Sequence, residues 1–134
     1  MLFTICYIST AAELLLEEDV HALFSQTIKS NTHNDITGIL IYQEGTFIQV
    51  LEGDDIFLNS LFKKIEEDPR HKQITKVLGE PIESRVFDEY LLGFSGMHKV
   101  GELQSIYLFL KKNRKTPYSK RLYAFLKPFL ERQF

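Results

Sequence analysis

The sequence contains very little cysteine and no long apolar run, and these absences exclude several classes of protein. Cys6 is the single cysteine among 134 residues, so an internal disulfide is excluded and a reducing compartment, the cytoplasm, is expected. One thiol and four scattered histidines do not make a metal cluster. No window approaches the roughly 18 consecutive apolar residues of a membrane span, and the N-terminus lacks the basic and apolar regions of a signal peptide.

Net charge is also small, at −2, but it is unevenly distributed. From Lys111 to the end of the chain there are eight Lys or Arg and one acidic residue, Glu131, whereas residues 1–110 hold 8 basic and 17 acidic residues. The basic tail fits a docking surface for an acidic partner or nucleic acid. It also fits the solvated face of two amphipathic helices. The sequence favours the second interpretation, so nucleic-acid binding is not expected.

Hydrophobic residues make up 44% of the chain, which is typical of a compact domain with a single core. Apolar periodicity predicts five strands and two helices in this core. In chain order they are a strand over Leu2–Ile8, a helix over Glu17–Lys29, strands over Ile36–Tyr42 and Thr46–Leu51, a helix from Asp54 or Asp55 to Glu67, and strands over Lys72–Glu80 and Arg85–Phe94.

Two further amphipathic helices are predicted after the core, one from Val100 and one after Pro117, in which Pro128 should kink or interrupt the chain. We therefore divide the chain into a core domain, residues 1–98, and a two-helix extension, residues 99–134. The βαββαββ order of the core is typical of an α+β, ferredoxin-like sheet with both helices on one face. Right-handed crossovers place the first and third strands side by side in its centre, and we expect them to be parallel.

Tyr7 and Gln49 are predicted to lie on these two central strands. By period-two alternation Tyr7 shares a face with Phe3, and Gln49 shares one with Phe47 and Leu51. Taken singly, Tyr7 could be an ordinary core tyrosine and Gln49 an edge or surface glutamine. If both point toward the helices, burying a phenol and an amide there is costly unless they satisfy each other or a ligand. The residues thus predict a polar ligand site between the two helices.

Several short motifs occur in a fixed order along the core: Cys6-Tyr7-Ile8-Ser9, Asn31 with Ile36-Thr37-Gly38-Ile39-Leu40, Phe47-Ile48-Gln49-Val50-Leu51-Glu52-Gly53, Asp68-Pro69-Arg70-His71 and Phe87-Asp88-Glu89-Tyr90. With this set the chain resembles the BLUF family of flavin-binding blue-light sensors over about residues 2 to 98. The resemblance implies a ferredoxin-like domain that holds FAD, or FMN or riboflavin, between its core helices. It also implies a photoreceptor and not an enzyme.

The resemblance implies roles for particular residues. Tyr7 would be the photoactive tyrosine and Gln49 the switching glutamine. Asn31 would bond to the polar edge of the flavin ring, whereas Arg70 and His71 would lie near its ribityl and phosphate part. The full set that it implicates in flavin binding is Tyr7, Asn31, Phe47, Gln49, Ile65, Asp68, Arg70 and His71.

The implied mechanism is a light-driven change of hydrogen bonds. Tyr7 would donate an electron and then a proton to the light-excited flavin, and the proton would pass through Gln49. Their return to Tyr7 would leave the flavin oxidised and the Gln49 amide rotated or tautomeric. Because an amide offers both a donor and an acceptor, its reorientation changes the network without net chemistry. Tyr90 and Leu92 would relay this change to the tail, although many family members have tryptophan and methionine at these positions.

Two other interpretations of the sequence were weighed. A ferredoxin-like hydrolase such as an acylphosphatase needs an anion-binding loop after the first strand, and Ser9-Thr10-Ala11-Ala12-Glu13 has no glycine. A dark interaction module is the other, since the tail helices could pack against another copy and make a homo-oligomer. No output domain fits into the residues after Met97, so the expected partner is a separate signalling protein.

Overall fold

The fold is built from five strands and four helices, seen in a computed structural model that describes residues 1–88, 94–97 and 100–131. These elements are β1 (Leu2–Ala11), α1 (Glu17–His33), β2 (Thr37–Gln43), β3 (Thr46–Asp54), α2 (Asp55–Glu67), β4 (His71–Pro81), β5 (Phe94–Met97), α3 (Val100–Lys112) and α4 (Pro117–Glu131). They fall into two compact units, Met1–Gly96 and Met97–Phe134.

The sheet of the first unit has the strand order β4-β1-β3-β2-β5. The α+β class, the order of the elements and the central position of β1 and β3 are as predicted. The predicted parallel direction is wrong, because β1 and β3 are antiparallel. The crossover through α1 makes β2 parallel to β1, and the tight β2–β3 hairpin then reverses the chain between them. Glu44 and Gly45 in that hairpin both have positive φ, 48° and 83°, as a type I′ turn requires.

Both helices of the first unit pack on the same face of the sheet. The core there is one cluster of buried side chains from β1, α1, β2, β3 and α2: Ile5, Tyr7, Ala11, Val20, Phe24, Ile36, Leu40, Tyr42, Phe47, Leu51, Leu58 and Phe62. α2 begins with a side-chain cap, since the Asp54 carboxylate accepts a hydrogen bond from Phe57 N. α1 has no such cap but begins with three acidic residues, Glu17, Glu18 and Asp19, which its positive N-terminal end stabilises.

Gly38 fixes the close approach of β2 to β3. Its φ is +140°, and a Cβ atom placed there would lie 1.9 Å from the carbonyl oxygen of Val50. No other residue fits at this position without moving a central strand. The strand that carries Gln49 is therefore held tightly against β2.

The last strand differs most from the prediction. A strand was predicted over Arg85–Phe94, but residues 85–88 form no strand and β5 begins at Phe94. The N–H groups of Val86 and Phe87 donate to the Glu52 carboxylate and so are not available to a neighbouring strand. Tyr90 and Leu92, the predicted relay residues, lie outside the described residues.

The second unit consists of α3 and α4, which contact each other. Their buried residues recur at helical spacing and include Leu103, Ile106, Leu110, Leu122, Leu126 and Leu130. Pro128 lies inside α4, and the helix continues past it to Glu131. Of the two predicted effects, a kink or an interruption, the interruption does not occur. Within the described part of the chain, no helix is long and apolar enough to cross a membrane.

Candidate functional site

A cavity of about 240 Å³ lies between α1 and α2 above the centre of the sheet. Its apolar walls come from both helices and from the two inner strands, and its polar groups are gathered at one edge and at the rim. The lining residues are Tyr7, Leu23, Gln26, Thr27, Ser30, Asn31, Leu40, Phe47, Gln49, Leu61, Lys64, Ile65, Asp68, Arg70 and His71. A concave apolar site with a few convergent polar groups is the usual form of a small-molecule site.

Tyr7 and Gln49 meet at the floor of this cavity. They are directly opposite each other in the β1–β3 register, and Tyr7 OH donates a hydrogen bond of 2.5 Å to Gln49 Oε1. Both side chains are buried, with 4% and 3% of their surface exposed. Burial, with a smaller contribution from the negative charge of Asp68, raises the pKa of the Tyr7 phenol above its ordinary value. The phenol is therefore a neutral donor at physiological pH.

Two side-chain amides at the cavity have polar atoms that form no hydrogen bond with any residue that the structure describes. Gln49 uses its oxygen to accept from Tyr7, and no residue in the described ranges bonds to its NH₂ group. The side-chain amide of Asn31, which is 5% exposed, likewise has no partner there. Its backbone carbonyl is occupied, because it accepts from Ile36 N at 2.9 Å. Because both residues line the cavity, these amide atoms are available to a ligand that carries donors and acceptors.

His71 closes the cavity next to Tyr7, with 6.1 Å between the ring centroids. One ring nitrogen, Nε2, lies 2.6 Å from the carbonyl oxygen of Ile65, and Nδ1 lies 2.8 Å from Ser9 Oγ. A carbonyl only accepts, so Nε2 carries a proton and donates to Ile65, and Nδ1 pairs with the Ser9 hydroxyl. The two hydrogen bonds fix the orientation of the imidazole, which ties the start of β4 to β1.

Asp68 and Arg70 form the charged rim of the cavity. The guanidinium donates to the carboxylate through Nε at 3.0 Å and through NH2 at 2.5 Å. The hydrogen bonds from Arg70 hold the pKa of Asp68 below its usual range. The Arg70 side chain is 52% exposed, so it can turn toward an anionic group, and Lys64 supplies a second cation on the rim.

The structure brings all eight predicted flavin-binding residues to this cavity: Tyr7, Asn31, Phe47, Gln49, Ile65, Asp68, Arg70 and His71. The sequence did not single out Gln26, Thr27, Ser30 or Lys64, which also line it. A signal for part of this set was present, because Leu23, Thr27 and Asn31 recur every four residues on α1 and so share one face.

An antiparallel ferredoxin-like sheet with a phenol–amide pair beneath a cleft between two helices defines a small α+β domain with a cavity suited to a small polar ligand. The sequence model of one family, described as sensors of blue-light using FAD, matches residues 2–93. The chain therefore belongs to the BLUF family, whose domains bind a flavin and sense blue light.

Two relatives of the chain are named as photoactivated proteins. The chain is 38% identical over 86 residues to the photoactivated adenylate cyclase subunit alpha of Euglena gracilis, a match that covers 64% of this chain and 8% of the relative. It is 35% identical over 86 residues to subunit beta of the same organism, with 64% and 10% covered. The chain thus spans about a tenth or less of the length of these relatives.

Solved structures show the same fold. The BLUF domain of BlrP1, a protein from Klebsiella pneumoniae, superposes with a TM-score of 0.78 at 29% identity, over 97% of this chain and 90% of that one. BlrB, described as a BLUF protein in its dark state, gives a TM-score of 0.68 at 26% identity, over 93% and 97% of the two chains.

Proposed function

We propose that this chain senses blue light through a flavin bound non-covalently in the α1–α2 cavity, and that Tyr7 and Gln49 are its photoactive and switching residues. The observation that carries the proposal is the buried hydrogen bond from Tyr7 OH to Gln49 Oε1 at the cavity floor. A bound flavin would supply blue-light absorption and, when excited, an acceptor for an electron and a proton.

Tyr7 is placed to lose a proton toward Gln49. Its hydroxyl already points at Gln49 Oε1, so a proton that leaves an oxidised phenol has an acceptor at hydrogen-bond distance. The amide of Gln49 has its acceptor end on Tyr7 and its donor end without a protein partner in the described ranges. A half-turn about its terminal bond, or tautomerisation, exchanges these ends, and the hydrogen bonds offered to the ligand change with them.

The lining residues fit a flavin. The cavity of about 240 Å³ is smaller than the roughly 300–1,000 Å³ typical of small-molecule sites, so it suits the ring system of a cofactor whose remaining part lies outside the cavity. Phe47 and Ile65 supply apolar contact for a ring, and the open amide of Asn31 supplies a partner for its polar edge. Arg70, with Asp68, would hold the ribityl and phosphate part at the rim, and the His71 ring, whose two nitrogens bond to Ile65 and Ser9, would lie beside it.

The decisive experiment is an absorption spectrum of the purified protein in the dark and under blue light. The proposal expects a yellow protein whose flavin bands move reversibly to the red. A protein that purifies without flavin and takes none up when FAD, FMN and riboflavin are each added would contradict it, as would a bound flavin with no light-induced shift.

We also propose that the light state is read by Tyr90 and Leu92 and passes to a separate protein through residues 99–134, without turnover in this chain. One exposed apolar side chain, Leu108 on α3, is 48% exposed and supports a contact surface on this extension. The same surface would serve a homo-oligomer, and size-exclusion chromatography in the dark and under light tests that. The single thiol, buried at Cys6, supports a cytoplasmic location.

The hydrolase alternative has less support. A phosphate loop after β1 would need free backbone N–H groups there. Ala11 N donates instead to Gly45 O at 2.8 Å, and Ala12 N donates to Arg70 O at 2.9 Å. Hydrolysis of an acyl phosphate by colourless protein would revive this alternative.

A further inference from the structure

A fully buried carboxylate lies outside the cavity, at the end of the strand that carries Gln49. Glu52 is 0% exposed, and both of its oxygens accept hydrogen bonds. Oε1 accepts from Thr37 Oγ1 at 2.8 Å and from Phe87 N at 3.0 Å, and Oε2 accepts from Val86 N at 2.8 Å. An ionised carboxylate is buried at such cost that it persists only where several donors satisfy it.

Arg85 adds hydrogen bonds from its own side chain to Asp35 and to the backbone of Glu52. Its NH1 donates to the carbonyl oxygens of Asp35 at 2.9 Å and Glu52 at 3.1 Å, and its NH2 donates to the Asp35 carboxylate at 3.3 Å. The Arg85 side chain is only 15% exposed. We call Asp35, Thr37, Glu52 and Arg85, with the N–H groups of Val86 and Phe87, the Glu52 clasp.

The clasp is connected to the cavity at two points. Along β3, Glu52 follows Gln49 by three residues. Through α1, the carbonyl of Asn31 accepts from Ile36 N, the residue next to Asp35. Asp35 itself adopts a positive φ of 56°, a conformation that costs free energy for a residue other than glycine. The strand that carries Gln49 and the end of the helix that carries Asn31 therefore both lead to Arg85 and Glu52.

The clasp holds residues 85–87. In the sequence these residues come shortly before the proposed relay residues, Tyr90 and Leu92, and before β5. Charged hydrogen bonds of this kind are short-range and directional, so the segment is either seated on the carboxylate or released from it. A small displacement of β3 or of the α1 end changes the balance between these two arrangements. This is the kind of two-state element that a local switch can bias.

We propose that Glu52 and Arg85 are positioning residues for signalling: the clasp they form seats residues 85–87 in the dark and loosens when the hydrogen bonds at Gln49 and Asn31 change. The proposal rests on the proposed light sensing and adds an element that responds to it ahead of Tyr90 and Leu92 in the chain. It assigns a function to two residues that do not line the cavity.

Amide hydrogen exchange of the flavin-loaded full chain, followed by NMR in the dark and under blue light, tests the clasp directly. In the unsubstituted protein, the Val86 and Phe87 amides should exchange slowly in the dark and faster in light, and the β5 amides should also change. Arg85→Gln removes the guanidinium fork, and Glu52→Gln replaces one acceptor by a donor. Each should speed dark exchange of Val86 and Phe87 by about tenfold or more.

In both variants the red shift of the flavin should remain, while the light-dependent difference at β5 is lost. Lys72→Gln, which removes an exposed cation from β4 outside the clasp, should leave both responses unchanged. If Glu52→Gln does not fold, Arg85→Gln alone decides, because its side chain is nearer the surface.

Three results would overturn the clasp. The first is equal exchange of Val86 and Phe87 in dark and light while the red shift is present, and the second is a full β5 response in Arg85→Gln. The third is loss of the red shift in Arg85→Gln, since the residue would then act on the cavity itself. Absence of a red shift in the unsubstituted protein would instead refute the light sensing on which the clasp depends.

Discussion

Replacing Tyr7 by phenylalanine separates flavin binding from switching. The phenylalanine ring keeps the contact with Phe62, whose centroid lies 5.7 Å away, so the packing of the cavity floor is retained. Only the hydroxyl that donates to Gln49 Oε1 is lost. We therefore expect Tyr7→Phe to bind flavin and remain yellow, and to show no red shift under blue light.

The cost in stability follows from the same hydrogen bond. The variant leaves Gln49 Oε1 without its donor in a side chain that is 3% exposed, and an unsatisfied buried acceptor costs about 1–3 kcal/mol. The lost hydroxyl no longer has to be desolvated, so the lower half of that range is expected. Each kcal/mol lowers the Tm of a domain of this size by roughly 4–8 °C, which thermal unfolding followed by circular dichroism would detect.

Tyr42→Phe is the matched control. Tyr42 is also a buried sheet tyrosine, 8% exposed, and its ring packs on Phe47 at 4.8 Å. Its hydroxyl contacts Leu15 N at 3.4 Å and not Gln49. This variant should keep the full red shift. A full red shift in Tyr7→Phe, or its loss in Tyr42→Phe, would refute the assignment of the photoactive role to Tyr7.

Three further predictions concern binding, packing and pH. Asn31→Ala should weaken flavin retention during gel filtration more than Lys29→Ala, a change at an exposed position on the same helix; equal retention would exclude Asn31 as a ligand residue. Gly38→Ala should lower the unfolding free energy by about 3 kcal/mol or more. Gly101→Ala is the control, because a Cβ at that position meets nothing within 4 Å, and it should raise the unfolding free energy by about 0.5–1 kcal/mol. Urea titration measures both changes. Burial raises the pKa of the Cys6 thiol, so its contribution to stability is complete below its ordinary pKa of 9.0 and is lost as the pH rises above that value. Urea unfolding from about pH 7 to about pH 11 should therefore show falling stability with a shallower slope in Cys6→Ala, and an unchanged slope would contradict a thiol kept neutral by burial.

The pairing of Tyr7 with Gln49 could be predicted because it depends on simple rules. Period-two alternation decides which side chains share a face, and the order of helices and strands decides which strands are neighbours. Neither rule depends on whether the two strands are parallel or antiparallel. The contact between Tyr7 and Gln49 is therefore as predicted, although the predicted direction of β1 relative to β3 is wrong.

The clasp and the start of β5 could not be predicted in the same way. Val86 and Phe87 are residue types that strands favour, and local propensity therefore favours a strand there. Their N–H groups are instead taken by the carboxylate of Glu52, which is 34 and 35 residues away in sequence. A contact between such distant residues depends on the assembled sheet, and the sequence shows only a glutamate at a strand end.

Tyr7 and Gln49 lie on β1 and β3, two of the three interior strands of the sheet. Each of these strands is hydrogen-bonded on both sides, and interior strands belong to the part of a domain that opens least often. Under the proposed mechanism, thermal fluctuations of the backbone would therefore rarely separate the pair and rarely imitate the absorption of a photon. The rate of false signals in darkness would then be set by the barrier to turning the Gln49 amide, and a sheet with this pair on an edge strand would lose that protection.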